Sequence, residues 1–113
     1  MSRDYIVTKE DWDTSPMPEK FDNFKLKKQF NKEEMENLKR GHIPDEMEDR
    51  WFCYFEDNKL YIYRSWSGIC IYIVEFGRFN KHKVTVNRDE NQYAYTDIDE
   101  DIEQLNSLLD CWK

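Results

Sequence analysis

The residues best suited to hold a ligand lie between Leu60 and Tyr72, in the run L-Y-I-Y-R-S-W-S-G-I-C-I-Y. Arg64 ends a strand-like segment and presents a planar fork of donors that fits phosphate or carboxylate. Ser65, Ser67 and the backbone at Gly68 can add hydroxyl and amide donors to the same anion. Trp66 offers a flat face for a nucleobase. Taken together these groups suit a nucleotide, with its phosphates on Arg64 and the turn and its base on Trp66. The same residues have plain structural uses. An arginine beside a tryptophan often stacks on it, and Tyr61 and Tyr63 at alternating positions are ordinary strand composition.

A second cluster runs from Asn87 and Arg88 through Asp89, Glu90, Asn91 and Gln92 to Tyr93 and Tyr95. Asn87 and Arg88 at a strand end, with the two tyrosines in the following loop, have the chemistry to read a base edge or a ribose. A polar surface loop has the same composition. The two clusters form one site only if Arg64 and Arg88 converge, which spacing alone does not decide.

Enzymatic constellations are thin. The chain contains no G-x-S-x-G, P-loop, H-E-x-x-H or G-x-G-x-x-G. His42 and His82 have no nucleophile near them in sequence, and His82 between two lysines reads as an exposed loop residue. Asp89 and Glu90 are the nominees for a general base. The carboxylates Asp97, Asp99, Glu100 and Asp101 crowd a helix start, where they complement the dipole. Neither they nor the run Asp45 to Asp49 has an ordered calcium-loop spacing. Cys53, Cys70 and Cys111 are odd in number and lack a C-x-x-C, so they read as buried small hydrophobes in a reducing compartment. No catalytic residue, metal or cofactor is expected.

The bulk composition sets limits on the partner. The 113 residues carry 17 basic and 24 acidic side chains, net −7. The charge is uneven: 10 basic and 13 acidic in residues 1–50, 6 and 3 in 51–88, and 1 and 8 in 89–113. A long nucleic acid is repelled by that field, while a small anion in a local basic pocket is allowed. No window is long and apolar enough for a membrane span, and the first residues lack a signal-peptide pattern. The expectation is a cytoplasmic protein with no membrane partner.

The elements that must position these residues follow from periodicity. Residues 1–30 read as an irregular arm, with Pro16 and Pro18 excluding helix and Phe21, Phe24 and Phe30 as anchors. Asn31 and Glu34 form a capping box at the start of a short helix that Gly41 ends. Segments 51–55, 60–64, 69–76 and 83–87 read as strands joined by tight turns. Residues 92–95 are a candidate short fifth strand. Thr96 is the candidate cap of a terminal helix whose stripe is Ile98, Ile102, Leu105, Leu108, Leu109 and Trp112. The predicted fold is one domain of class α+β: a four- to five-stranded antiparallel meander, a short N-terminal helix, and a C-terminal amphipathic helix across one face. Residues 31–113 form its compact core.

The block R-W-F-x-Y at Arg50 to Tyr54, followed by L-Y-x-x-R-S-W-S-G-x-C-I-Y at Leu60 to Tyr72 and by V-N-R-D-x-x-Q-Y at Val86 to Tyr93, resembles a small bacterial and phage domain. That domain occurs alone or beside ADP-ribosylglycohydrolase-like proteins, and the resemblance covers roughly residues 50–109. It implies an ADP-ribose connection. By extension it implies a viral nucleotide sponge: a non-enzymatic binder that sequesters an ADP-ribose-derived signal in the host cytoplasm and so evades Thoeris-type bacterial immunity. Arg64 and Arg88 would then pair with the diphosphate, Ser65, Ser67 and Gly68 would complete that contact, and Trp66 with Tyr93 or Tyr95 would stack the base. A domain this small has little interior for a cavity, so two copies in a homodimer would build the pocket. The alternative is an acidic protein-binding module or inhibitor that docks on a basic host protein. A small ADP-ribose-processing enzyme is the third reading.

Overall fold

A computed structural model describes residues 5–94 and 96–113. Five antiparallel strands form one sheet: β1 (Phe21–Lys27), β2 (Trp51–Glu56), β3 (Lys59–Arg64), β4 (Cys70–Glu75) and β5 (Lys81–Asn87). Helix α1 (Lys32–Arg40) precedes β2, and α2 (Ile98–Trp112) ends the chain. The strand order is β1-β5-β4-β3-β2, so β2 to β5 form the expected meander. The fold is α+β.

Residues 92–94 form no strand, and Tyr95 lies outside the described residues; the fifth strand comes from the arm. Phe21–Lys27, expected to be irregular, pairs with β5 through seven residue pairs from Phe21↔Asn87 to Lys27↔Lys81. Its alternation is legible once the partner is known. Phe24 and Leu26 face the core, while Asn23, Lys25 and Lys27 face out.

Local rules set the other elements. The Asn31 side chain accepts from the Glu34 amide at 2.8 Å, and the Glu34 carboxylate accepts from the Asn31 amide at 3.0 Å. Gly41 closes α1 at φ 78°, where an added Cβ would lie 2.5 Å from the Cys53 carbonyl oxygen. Only glycine fits there. Asp57 and Asn58 both adopt positive φ in the two-residue hairpin between β2 and β3. The α2 cap is Asp97, whose side chain accepts from the Asp99 amide, rather than Thr96. A carboxylate there also meets the positive end of the helix dipole.

Both faces of the sheet are covered in part. On one face α2 buries Leu105 and Leu109 against Phe24, Leu60, Ile62, Val74, Val84 and Val86. On the other, the arm before β1 lays Val7, Trp12 and Met17 over Phe52, Tyr54 and Tyr63. Trp12 stacks on Phe52 with ring centroids 5.8 Å apart, and the Val7 amide donates to the Arg40 carbonyl at 2.8 Å. The arm therefore packs on the sheet and roofs its second core.

Candidate functional site

Arg64, Ser65, Trp66, Ser67 and Gly68 lie at the turn from β3 to β4, and each has a different surrounding. Arg64 stands opposite Trp51 in the register, and its guanidinium carbon lies 4.4 Å from the Trp51 ring centre. Trp51 in turn lies over Tyr72, with ring centres 6.5 Å apart. Ser65 is buried; its hydroxyl donates to the Asp49 carbonyl at 2.9 Å, and its own carbonyl accepts from Trp12 Nε1 at 2.7 Å. The Ser67 hydroxyl accepts from the Ile69 amide at 3.3 Å. The Gly68 amide donates to the Arg64 carbonyl, and its carbonyl accepts from the Ser15 amide. Of the five, Trp66 and Ser67 are exposed; Trp66 is 69% exposed, with an indole bond to the Met47 carbonyl at 3.1 Å.

The second cluster is folded inward. Asn87 is fully buried; its amide nitrogen donates to the Cys70 carbonyl at 2.9 Å and to Gln92 at 2.8 Å. Arg88 is paired with Asp22 at 3.2 Å and with Asp101 of α2. Tyr93 is buried, and its hydroxyl donates to Asp101 at 2.8 Å beside that of Tyr72. Gln104 donates to both phenolic oxygens at 2.8 and 2.9 Å. Burial pushes the hydroxyls of Tyr72 and Tyr93 well above the ordinary range; Asp101 adds to both and the Tyr72 phenol adds to Tyr93, while the bonds from Tyr93 and Gln104 act the other way on Tyr72. Asp101 joins α2 to the loop after β5 at no exposure to solvent. Tyr95 lies outside the described residues.

Arg64 and Arg88 thus sit at the same end of the sheet but meet through packed side chains. The path runs from Arg64 to Trp51, Tyr72 and Asp101, and on to Arg88. Asp89 caps its own turn by accepting from the Asn91 amide, and Glu90 pairs with Lys20. His82 is not an exposed loop residue. It is 4% exposed in β5, accepting from the Gly77 amide at Nδ1 and donating to the Lys28 carbonyl at Nε2. It ties the β4–β5 turn to the end of β1. His42 pairs with Asp49 at 2.6 Å. Among the described residues no group of three or more His, Cys, Asp or Glu is arranged to hold a metal.

No family model, curated protein or solved structure matches this chain.

A concavity lies where the arm, the loop after α1 and the β3–β4 turn meet. It is a cleft of about 660 Å³, walled by Trp12, Met47 and Trp66. Asp11, Asp13, Asp45, Glu46 and Asp49 line it as well, and among the described residues none of its lining is basic. Ser65, Trp66 and Ser67 belong to this cleft, while Arg64, Gly68, Asn87, Arg88 and Tyr93 do not. Five carboxylates around an apolar wall favour a cation and oppose a phosphate. Sequence reading passed over the arm and the acidic run because each looked like loop composition. The run of four carboxylates beside Met47 was the signal available in the chain.

Proposed function

We propose that this protein is a non-enzymatic binding module that takes a basic, apolar-tipped segment of a partner protein into the acidic cleft. The observation that carries the reading is the cleft lining: among the described residues it has two indoles, five carboxylates and no basic side chain. Lysine or arginine on the partner would meet the carboxylates and the indole faces, and an apolar side chain would cover Met47 and Trp66, both exposed. The acidic character of this alternative lies in the cleft more than in residues 89–113. There Asp101, Asp110 and Glu90 are all engaged in ion pairs.

The test is a tryptophan-fluorescence titration with short synthetic peptides of graded charge. Peptides carrying lysine, arginine and one phenylalanine should bind and weaken as salt rises. Trp66→Ala and Asp45→Lys should remove the binding. Peptide affinity that ignores salt and both substitutions would overturn the reading.

A second reading, sequestration of a small ADP-ribose-derived nucleotide, draws support from the exposed Trp66 indole and its neighbour Arg64, and from the resemblance of residues 50–109. The carboxylates around Trp66 weigh against a diphosphate in the cleft. ADP-ribose at a hundred times its dissociation constant would add roughly 2.7 kcal/mol in a thermal-shift assay. This reading requires that gain, and requires Arg64→Ala to abolish it.

A further inference from the structure

The turn between β4 and β5 carries Phe79 and Asn80 at φ 58° and 61°. Two consecutive left-handed residues make a turn that ordinarily takes asparagine and glycine. A phenylalanine there carries a conformational cost that either of those would avoid. No folded-state contact offsets it, since Phe79 is 85% exposed. Arg78 precedes it. Behind the turn, Lys25 stands directly opposite Lys83 and Lys27 directly opposite Lys81, all four exposed on the face away from α2. Like charges set directly across two strands destabilise a sheet. Glu75, opposite Lys83 on β4, is the carboxylate that adjoins them. The turn thus sets a protruding aromatic ring beside a lysine ladder, a local basic tip in a chain whose net charge is −7.

We propose that this tip docks into the acidic cleft of a second copy of the chain. The proposal rests on the reading of the cleft as a receiver of a basic, apolar-tipped segment, and it names the occupant. Charge selects it: among the described residues the cleft holds five carboxylates and no base, and the tip holds Arg78 and the four lysines. Shape agrees, because a benzyl side chain fits easily within about 660 Å³ between Trp12, Trp66 and Met47. A molecule cannot satisfy its own cleft. The tip follows the end of β4, whereas the cleft adjoins the end of β3, and antiparallel neighbours end at opposite edges of the sheet. Strands of six residues separate the two by roughly 20 Å. The contact joins unlike surfaces, so it either repeats head to tail or is made twice across a two-fold axis.

Sedimentation velocity of the full chain over a wide concentration range tests this. The wild type should associate reversibly, and added salt should disperse it. Phe79→Asp and the double variant Asp45→Lys/Glu46→Lys should each weaken self-association by more than about tenfold. All three positions are exposed, and circular dichroism would check that each variant is folded. An equimolar mixture of the two variants restores one intact tip and one intact cleft, and should form one-to-one heterodimers. A wild type that stays monomeric yet binds the basic peptides overturns self-docking and leaves the cleft reading standing. A monomer that binds no peptide overturns both. Association untouched by either variant places the interface elsewhere and overturns the inference.

Discussion

Arg88 closes on Asp101, a carboxylate with no exposure to solvent, and so ties the loop after β5 to the first turn of α2. Tyr72 and Tyr93 donate to the other oxygen of the same carboxylate. Asp101 raises the Arg88 guanidinium above its ordinary range, against the opposing effect of burial. Removing Asp101 takes the fully buried carboxylate from Arg88, whose other carboxylate partner Asp22 is exposed, and takes the acceptor from the two phenol hydroxyls. Asp101→Ala should therefore lower stability by about 3–5 kcal/mol. Urea denaturation measures it, and the double variant with Arg88→Ala should lose less than the two single losses combined. A single loss below about 1 kcal/mol would show the pair to be incidental.

The arm is held at Gly68. Its φ is 70°, and a Cβ there would lie 2.3 Å from the Asp13 carbonyl oxygen. Gly68→Ala should cost roughly 1–3 kcal/mol and loosen residues 5–18. Hydrogen exchange of the Val7 and Ser15 amides reads this directly, since both donate across the arm contact. Unchanged protection in the variant would mean that the arm does not depend on this close approach.

Cysteine reactivity should divide the three thiols. Burial drives the Cys53 thiol far up and pushes Cys70 up to about 12, while Cys111 is exposed on α2. The thiolate is the reactive form. Iodoacetamide at neutral pH should label only Cys111 in the native protein, and all three after unfolding. Native labelling at Cys53 or Cys70 would reveal opening of the cores on the reaction timescale.

Alkaline pH should unfold the protein. Burial raises the hydroxyls of Tyr54, Tyr63, Tyr72 and Tyr93 above the ordinary tyrosine value of 10.0. The unfolded chain then releases these protons at lower pH than the native one. Their contribution to stability is full below about pH 10 and is lost as pH rises above it. Melting temperature should fall over that window, together with a cooperative rise in tyrosinate absorbance. A gradual, non-cooperative titration of all seven tyrosines would contradict it.

Trp66 and Arg64 should separate binding from stability. Trp66 is exposed, so Trp66→Ala should change stability by no more than about 0.5 kcal/mol. Arg64 covers Trp51, and Arg64→Ala should cost on the order of 1 kcal/mol. Thermal melts of the two variants check this. A large loss in Trp66→Ala would assign that indole to the fold.

Local chemistry was legible in the chain. The capping box at Asn31 and Glu34, the glycine at position 41, the Asp57–Asn58 turn and the α2 stripe each depend on residues within a few positions of one another, and that information survives without a partner. Strand β1 was not legible because Asp22, Asn23, Lys25 and Lys27 make sense only opposite β5, which lies far along the chain, from Lys27↔Lys81 to Phe21↔Asn87 in the register. His82 misled for the same reason. Between two lysines it looks exposed, yet strand alternation turns it inward to Lys28 and Gly77.

The sequence by itself determined the fold class, the meander and the run that contains Trp66. Periodicity and turn chemistry are short-range properties. Only the tertiary structure decided what surrounds that run. It placed Arg88 on Asp101 and Arg64 on Trp51, and brought Asp11, Asp13 and Asp45 to Asp49 around Trp66. The sign of a site's field is a sum over groups that meet in space, and here those groups come from three distant segments of the chain.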